Sequence, residues 1–143
     1  MPSLSASELK KALIAEGFEI YRTAGSKVML ADRVRDNLIM DSGVSAVLGE
    51  SLAVRLVVRA QARDFEGESG AALFDRARGL AHKALKNGYR EAESNVVPIS
   101  DPGDRQRTLD TWYEVAFVKA VGSLDELFAE LRYALSLEKA AQK

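Results

Sequence analysis

The chain has no cysteine among its 143 residues, which excludes disulfides, thiolate metal sites and thiol nucleophiles together. It has a single histidine, His82, so imidazole chemistry has one place to reside. No apolar run approaches the ~20 residues that a membrane-spanning helix needs. Neither sign of charge prevails, since 20 Lys plus Arg face 21 Asp plus Glu for a formal charge of -1. Such balance offers no bulk field to phosphate backbones or anionic lipid, so no nucleic-acid or membrane partner is expected. The opening MPSLSASELKK lacks a basic segment followed by an apolar one, so no secretory signal is read and a cytoplasmic location is expected. Also missing are a G-x-S-x-G elbow, a glycine-rich phosphate loop and an H-E-x-x-H pair.

What is present is ordinary globular composition, 47% hydrophobic and 29% charged, at a length that suits a single domain over residues 1–143. Ser5 and Glu8 have the spacing of a capping box, Leu4 and Leu9 that of a hydrophobic staple, and Gly17 that of a left-handed stop. These signals predict a helix over 6–16 with Leu9, Ala12 and Leu13 inward. FEIYRT and KVMLA flank Ala24-Gly25-Ser26 and predict a hairpin. In SLAVRLVVRAQARDF, Val54, Leu56, Val58, Ala60 and Ala62 alternate with Arg55, Val57, Arg59, Gln61 and Arg63, which predicts a strand over 52–65. Ser69 caps a helix running to Asn87-Gly88, with Leu73, Phe74, Ala77, Leu80, Ala81, Ala84 and Leu85 on its inner face. YREAESNVVPI and TLDTWYEVAFVKAV are strands joined through the turn residues of SDPGDRQR. Ser123 and Glu126 then open a last helix held inward by Leu124, Leu127, Phe128, Leu131 and Leu135.

Pro98 cannot donate to a ladder, which sends its strand, 89–99, to an edge. The strand from Trp112 to Val121 is apolar on both sides, with Tyr113, Val115 and Phe117 on one and Trp112, Ala116 and Val118 on the other, so it belongs between 52–65 and 89–99. The expected fold is α+β, an antiparallel sheet of about five strands with helices on one face, in the order α-β-β-(α)-β-α-β-β-α. That order resembles the type III secretion chaperones and related chaperone-like domains. The resemblance implies a small, usually homodimeric protein that binds segments of other proteins and does no chemistry.

The stretch ADRVRDNLIMDSGV gathers Asp32, Asp36, Asn37 and Asp41. As a helix it would place Leu30, Val34 and Leu38 on one face and Asp32 with Asp36 on the other, where a hard cation with one outside ligand could bind. Arg33 and Arg35 stand among these acids and neutralise them, so the stretch reads as solvated surface and no metal or cofactor is expected. A strand over NLIMDSGV is the alternative. His82 falls on the polar margin of its helix beside Arg78 and Lys83, without a carboxylate to orient it on that helix.

Arg55, Arg59 and Arg63 share one side of their strand, where guanidinium forks would suit an acidic peptide or phosphate. Cross-strand pairing with Glu114, and with Glu91 and Glu93 further on, is the competing use of the same charges. Trp112 and Tyr113 would add aromatic anchoring. On the last helix Tyr133 and Leu137, flanked by Ala129 and Ala140, form a second apolar stripe opposite Leu127 and Leu131, which suits a homodimer contact. The expected function is a non-enzymatic module that holds a segment of a partner protein, as a homodimer. The rivals are a small metal- or ligand-binding domain or enzyme using Asp32, Asp36 and His82, and a structural subunit of a larger assembly.

Overall fold

In the computed structural model, which describes residues 4–36 and 38–141, the first helix begins and ends at its caps. Glu8 N donates to Ser5 Oγ at 3.1 Å and Ser5 N donates to Glu8 Oε1 at 3.2 Å, closing the box that opens α1 (Ala6–Ala15). Gly17, at φ 95, stops it: Phe18 N donates to Leu13 O and Gly17 N to Ile14 O, the paired bonds of a Schellman end. Strand β1 (Ile20–Ala24) and strand β2 (Lys27–Arg35) then form the expected hairpin. Its loop is Gly25-Ser26, with Ala24 opposite Lys27, and Gly25 takes the positive φ of 60 that a two-residue hairpin loop demands at its first position.

Residues 31–36 and 38–44 are not helical. β2 continues to Arg35 and pairs antiparallel with β3 (Leu38–Leu48), so of the helix and the strand that the sequence left open the strand is formed, and the sheet gains one strand. Leu30 lies on β2 and Leu38 on β3, so their helix-like spacing of eight positions spans a reversal of the chain and not a helical repeat. A bulge in β3 further hides the alternation. Between the pairs Met29–Ser45 and Ala31–Asp41, β2 has only Leu30 while β3 has Ser42, Gly43 and Val44. The Ser42 hydroxyl supplies the missing ladder bonds, donating to Leu30 O at 2.8 Å and accepting from Val44 N at 3.1 Å. Gly43 takes φ 83, which a side chain would resist.

The remaining elements are β4 (Leu52–Gln61), a single 3-10 turn (Ala62–Asp64), α2 (Gly70–Leu80), α3 (His82–Lys86), β5 (Arg90–Asp101), β6 (Asp104–Val121) and α4 (Leu124–Ala141). The class is α+β, with an antiparallel six-stranded sheet in the order β1-β2-β3-β4-β6-β5. β6 thus lies between β4 and the edge strand β5, as its two apolar faces and Pro98 required. No helix among the described residues is long and apolar enough to cross a membrane.

Close contacts group the chain into two compact units: residues up to Leu56 with those from Val118 onward, and Val57–Phe117. In the first unit Leu9 and Leu13 of α1, Val28 and Leu30 of β2, and Leu127 and Leu131 of α4 are fully buried or nearly so. Glu126 N donates to Ser123 Oγ at 3.2 Å, while the Glu126 carboxylate reaches back to Gly122 N at 2.8 Å and starts α4. Arg132 on α4 meets Glu16 at 3.0 Å and lies 5.1 Å over the Phe18 ring. Lys119 pairs with Glu130 at 2.7 Å.

In the second unit Val58, Ala60, Leu73, Ala77, Val115 and Phe117 are buried. Ser69 caps α2 by accepting from Ala72 N at 3.2 Å. Two expectations change here. The strand ends at Gln61, so Ala62 and Arg63 leave it for the 3-10 turn, whose geometry Asp110 holds by accepting Arg63 N. The helix from Ser69 breaks at Ala81, φ -99 and ψ 13, and resumes as α3. Ala81 and Ala84 continue the buried stripe of Leu73 and Ala77, while Leu80 and Leu85, at its two margins, stand 43% and 46% exposed.

Candidate protein-binding site

The densest polar constellation of the second unit grows from Asp110, a buried carboxylate at the level where β4 ends. Its Oδ1 accepts Arg63 N at 2.9 Å and Thr111 N at 2.8 Å; its Oδ2 accepts Trp112 Nε1 at 3.0 Å. Burial pushes this carboxyl up, but the donors from Arg63, Thr111 and Trp112, with the Arg63 charge, outweigh it and hold the group below the usual aspartate value. The Arg63 guanidinium stands 3.8 Å away and remains 69% exposed, so its fork is only partly used.

Trp112 is fixed at its indole N–H by Asp110 and covered on its ring by Arg59, whose guanidinium carbon lies 3.8 Å from the ring centre. Arg59 in turn donates through Nε and Nη2 to Glu114 Oε2, at 2.9 and 2.6 Å. The result is a chain of interactions from Glu114 through Arg59 and Trp112 to Asp110 and Arg63, all on β4, β6 and the turn between β4 and α2. It presents a pre-set aromatic and guanidinium surface, because each side chain is oriented by the next. The sheet pairing of Arg59 with Glu114 is the cross-strand use that the sequence left open.

Beside this network a shallow groove of about 330 Å³ is lined by Ala62, Arg63, Glu66, Thr108, Leu109, Asp110 and Thr111. It exists because β6 has 18 residues and β4 only 10. Arg63, just past the end of β4, is anchored at Asp110, so β6 residues 104–109 run beyond β4 with β5 as their strand neighbour among the described residues, and Glu66 lines the groove beside them. All of residues 104–109 are exposed, and Leu109 is 49% exposed.

The other candidate residues lie elsewhere. Tyr113 points away from Trp112, as neighbours on a strand do, and meets Phe74 of α2 edge-on at 5.1 Å between ring centres. A Cβ on Gly70 would come within 3.1 Å of the Tyr113 ring, so Tyr113 is a packing residue beneath α2. Arg55 belongs to the first unit, half-buried on β4 opposite Ser45. On α4 Tyr133 and Leu137 are half-buried and Ala129 is exposed.

Asp32 sits on β2 opposite Met40, and Asp36 lies in the turn that follows, so the shared helical face that joined them does not exist. The Asp41 carboxylate accepts Gly43 N at 2.9 Å within the bulge. Asn37 and the side chains of Val34 and Ala140 lie outside the described residues. His82 is exposed at the start of α3. No group of three or more His, Asp or Glu side chains placed to hold a metal ion occurs among the described residues.

Sequence reasoning named Arg59, Arg63 and Trp112 but missed Leu109 and Asp110. Asp110 carried a faint signal, an acid two positions before the only tryptophan, on the same face of the same strand. Leu109 carried none, because its exposure follows from where β4 stops. Compared with protein-family models, curated proteins and solved structures, the chain matches none of them.

Proposed function

We propose that this protein is a binding module, not a catalyst, and that the groove past the end of β4 holds an extended segment of a partner protein. The observation that carries this reading is the open lane beside β6 residues 104–109. A partner strand laid there would continue the line of β4 and take up main-chain bonds from β6, the strand-addition mode of peptide recognition. Leu109 gives the segment an apolar contact at the mouth of the groove, and the exposed guanidinium of Arg63 favours an acidic side chain beside it. Asp110 of the groove lining, held by Trp112, Thr111 and Arg63 N–H groups, is fixed in advance and loses little freedom when a ligand arrives.

The test is capture of partners from extract of the native cells by the wild-type chain and by an Arg63→Glu, Leu109→Asp variant. Both side chains are exposed, so the variant keeps its circular dichroism spectrum. The proposal expects a protein recovered by the wild type and reduced about tenfold with the variant, the scale of a contact worth about 1.4 kcal/mol. Equal recovery by both would remove the groove from the account.

A further inference from the structure

The far end of the β2–β3 hairpin carries a surface that the groove does not use. β1 reaches along β2 only to the pair Ile20–Leu30, with Glu19 O accepting Ala31 N just beyond it. From Asp32 onward the hairpin is therefore a two-stranded ribbon among the described residues. The pairs Asp32–Met40, Arg33–Ile39 and Arg35–Leu38 fix which side chains share a face. Opposed residues of a ladder lie on the same face, and successive residues of β3 alternate. Asp32, Met40, Leu38 and Arg35 consequently share one face, while Arg33 and Ile39 occupy the other. The irregularity between Arg33 and Arg35 is what brings Arg35 to the face of Asp32.

That face is apolar at its centre, with Leu38 43% and Met40 53% exposed. It also carries one acid and one base that differ from the charges around them. Arg33, on the reverse face, is held by Glu19 at 2.9 and 3.1 Å and donates to Asp36 O at 2.6 Å. Asp32 and Arg35 have no side-chain hydrogen bond or ion pair among the described residues. Along the ribbon their rows lie two positions apart, about 7 Å.

We infer that this ribbon face is the contact between two copies of the chain. A two-fold axis crossing the ribbon between the two rows sets Asp32 of each copy over Arg35 of the other, and Met40 over Leu38. The face is thus complementary to itself in both charge and apolarity, as an isologous dimer contact must be. Face-to-face ribbons stand about 10 Å apart, which leucine and methionine side chains fill. This inference goes beyond the groove, lies within the first unit, and does not rest on the partner-binding reading.

The experiment is sedimentation equilibrium on the full chain at tens of micromolar, with charge-reversed variants. The wild type is expected to be a dimer. Asp32→Arg and Arg35→Asp each oppose like charges twice in the dimer, so each weakens association about tenfold or more. The doubly exchanged variant, Asp32→Arg with Arg35→Asp, recovers the dimer. Mixing the two single variants yields a heterodimer, because each then supplies the charge that the other lacks. Arg35 is exposed and Asp32 half-buried, and unchanged thermal melts confirm folding. A monomeric wild type, a larger assembly, or single variants that dimerise as well as the wild type would overturn the inference. In the last case Tyr133→Asp with Leu137→Asp would place the contact on α4 by dissociating the dimer.

Discussion

Two buried polar side chains show how much single residues decide here. Asp110 accepts from Arg63, Thr111 and Trp112, and an asparagine in its place would turn a donor toward one of those N–H groups. Asp110→Asn is expected to lower stability by about 1–3 kcal/mol in urea denaturation at neutral pH, the cost of leaving a buried donor unmet. The Asp110 carboxyl is held below its ordinary value. Its contribution is therefore fully present above about pH 4 and is lost as the pH falls through the lowered value. Glu8, held down by its Ser5 hydrogen bonds, and Glu19, held down by Arg33, act in the same direction. Acidification should thus destabilise the wild type more steeply than Asp110→Asn, read as melting temperature against pH; parallel curves would deny the carboxylate this role. Ser42→Ala leaves both Leu30 O and Val44 N without their bulge partner and should cost about 1–3 kcal/mol by the same measurement.

At the scale of elements, what could be read in advance followed from whether a period or a cap was unbroken. Ser5, Glu8 and Gly17 bounded α1, and the alternation of Val54, Leu56, Val58 and Ala60 marked β4, because local chemistry and burial agree there. The helix-or-strand ambiguity of residues 31–44 in the sequence has a physical source. Leu30 of β2 and Leu38 of β3 fall at a helical spacing although the chain reverses between them, and the bulge at Ser42-Gly43 interrupts the alternation that would have marked the strand. Asp32 and Asp36 then lost their common face. The run from Leu73 to Leu85 keeps its helical period through the break at Ala81, but its inner face is narrower than expected, and Leu80 and Leu85 lie at its exposed margins. Replacing Leu80 or Leu85 by serine should therefore change stability by less than about 0.5 kcal/mol. Leu73→Ala, at a site only 1% exposed, should cost about 2–5 kcal/mol. Chemical denaturation of the three variants distinguishes the exposed margins of this segment from its buried stripe.

For the whole molecule, the place of β6 between β4 and β5 was legible because two apolar faces demand two covered sides and Pro98 demands an edge. The extra strand was legible only as one of two readings, and the groove was not legible. Both depend on where one strand outlasts its neighbour: β2 and β3 beyond β1, and β6 beyond β4. Such length differences are set by turns and bulges formed at a distance in sequence, so no local pattern announces them. They also locate the proposed binding surfaces, since a strand that outruns its neighbour keeps an unused edge and uncovered side chains. The most direct measurement is amide hydrogen exchange by mass spectrometry on the full chain, alone and with the partner it captures. Slowed exchange in peptides covering 104–111 and 62–66, with α2 unchanged, is the expected result. Protection confined to other segments, or none at all, would contradict the groove as the site of binding.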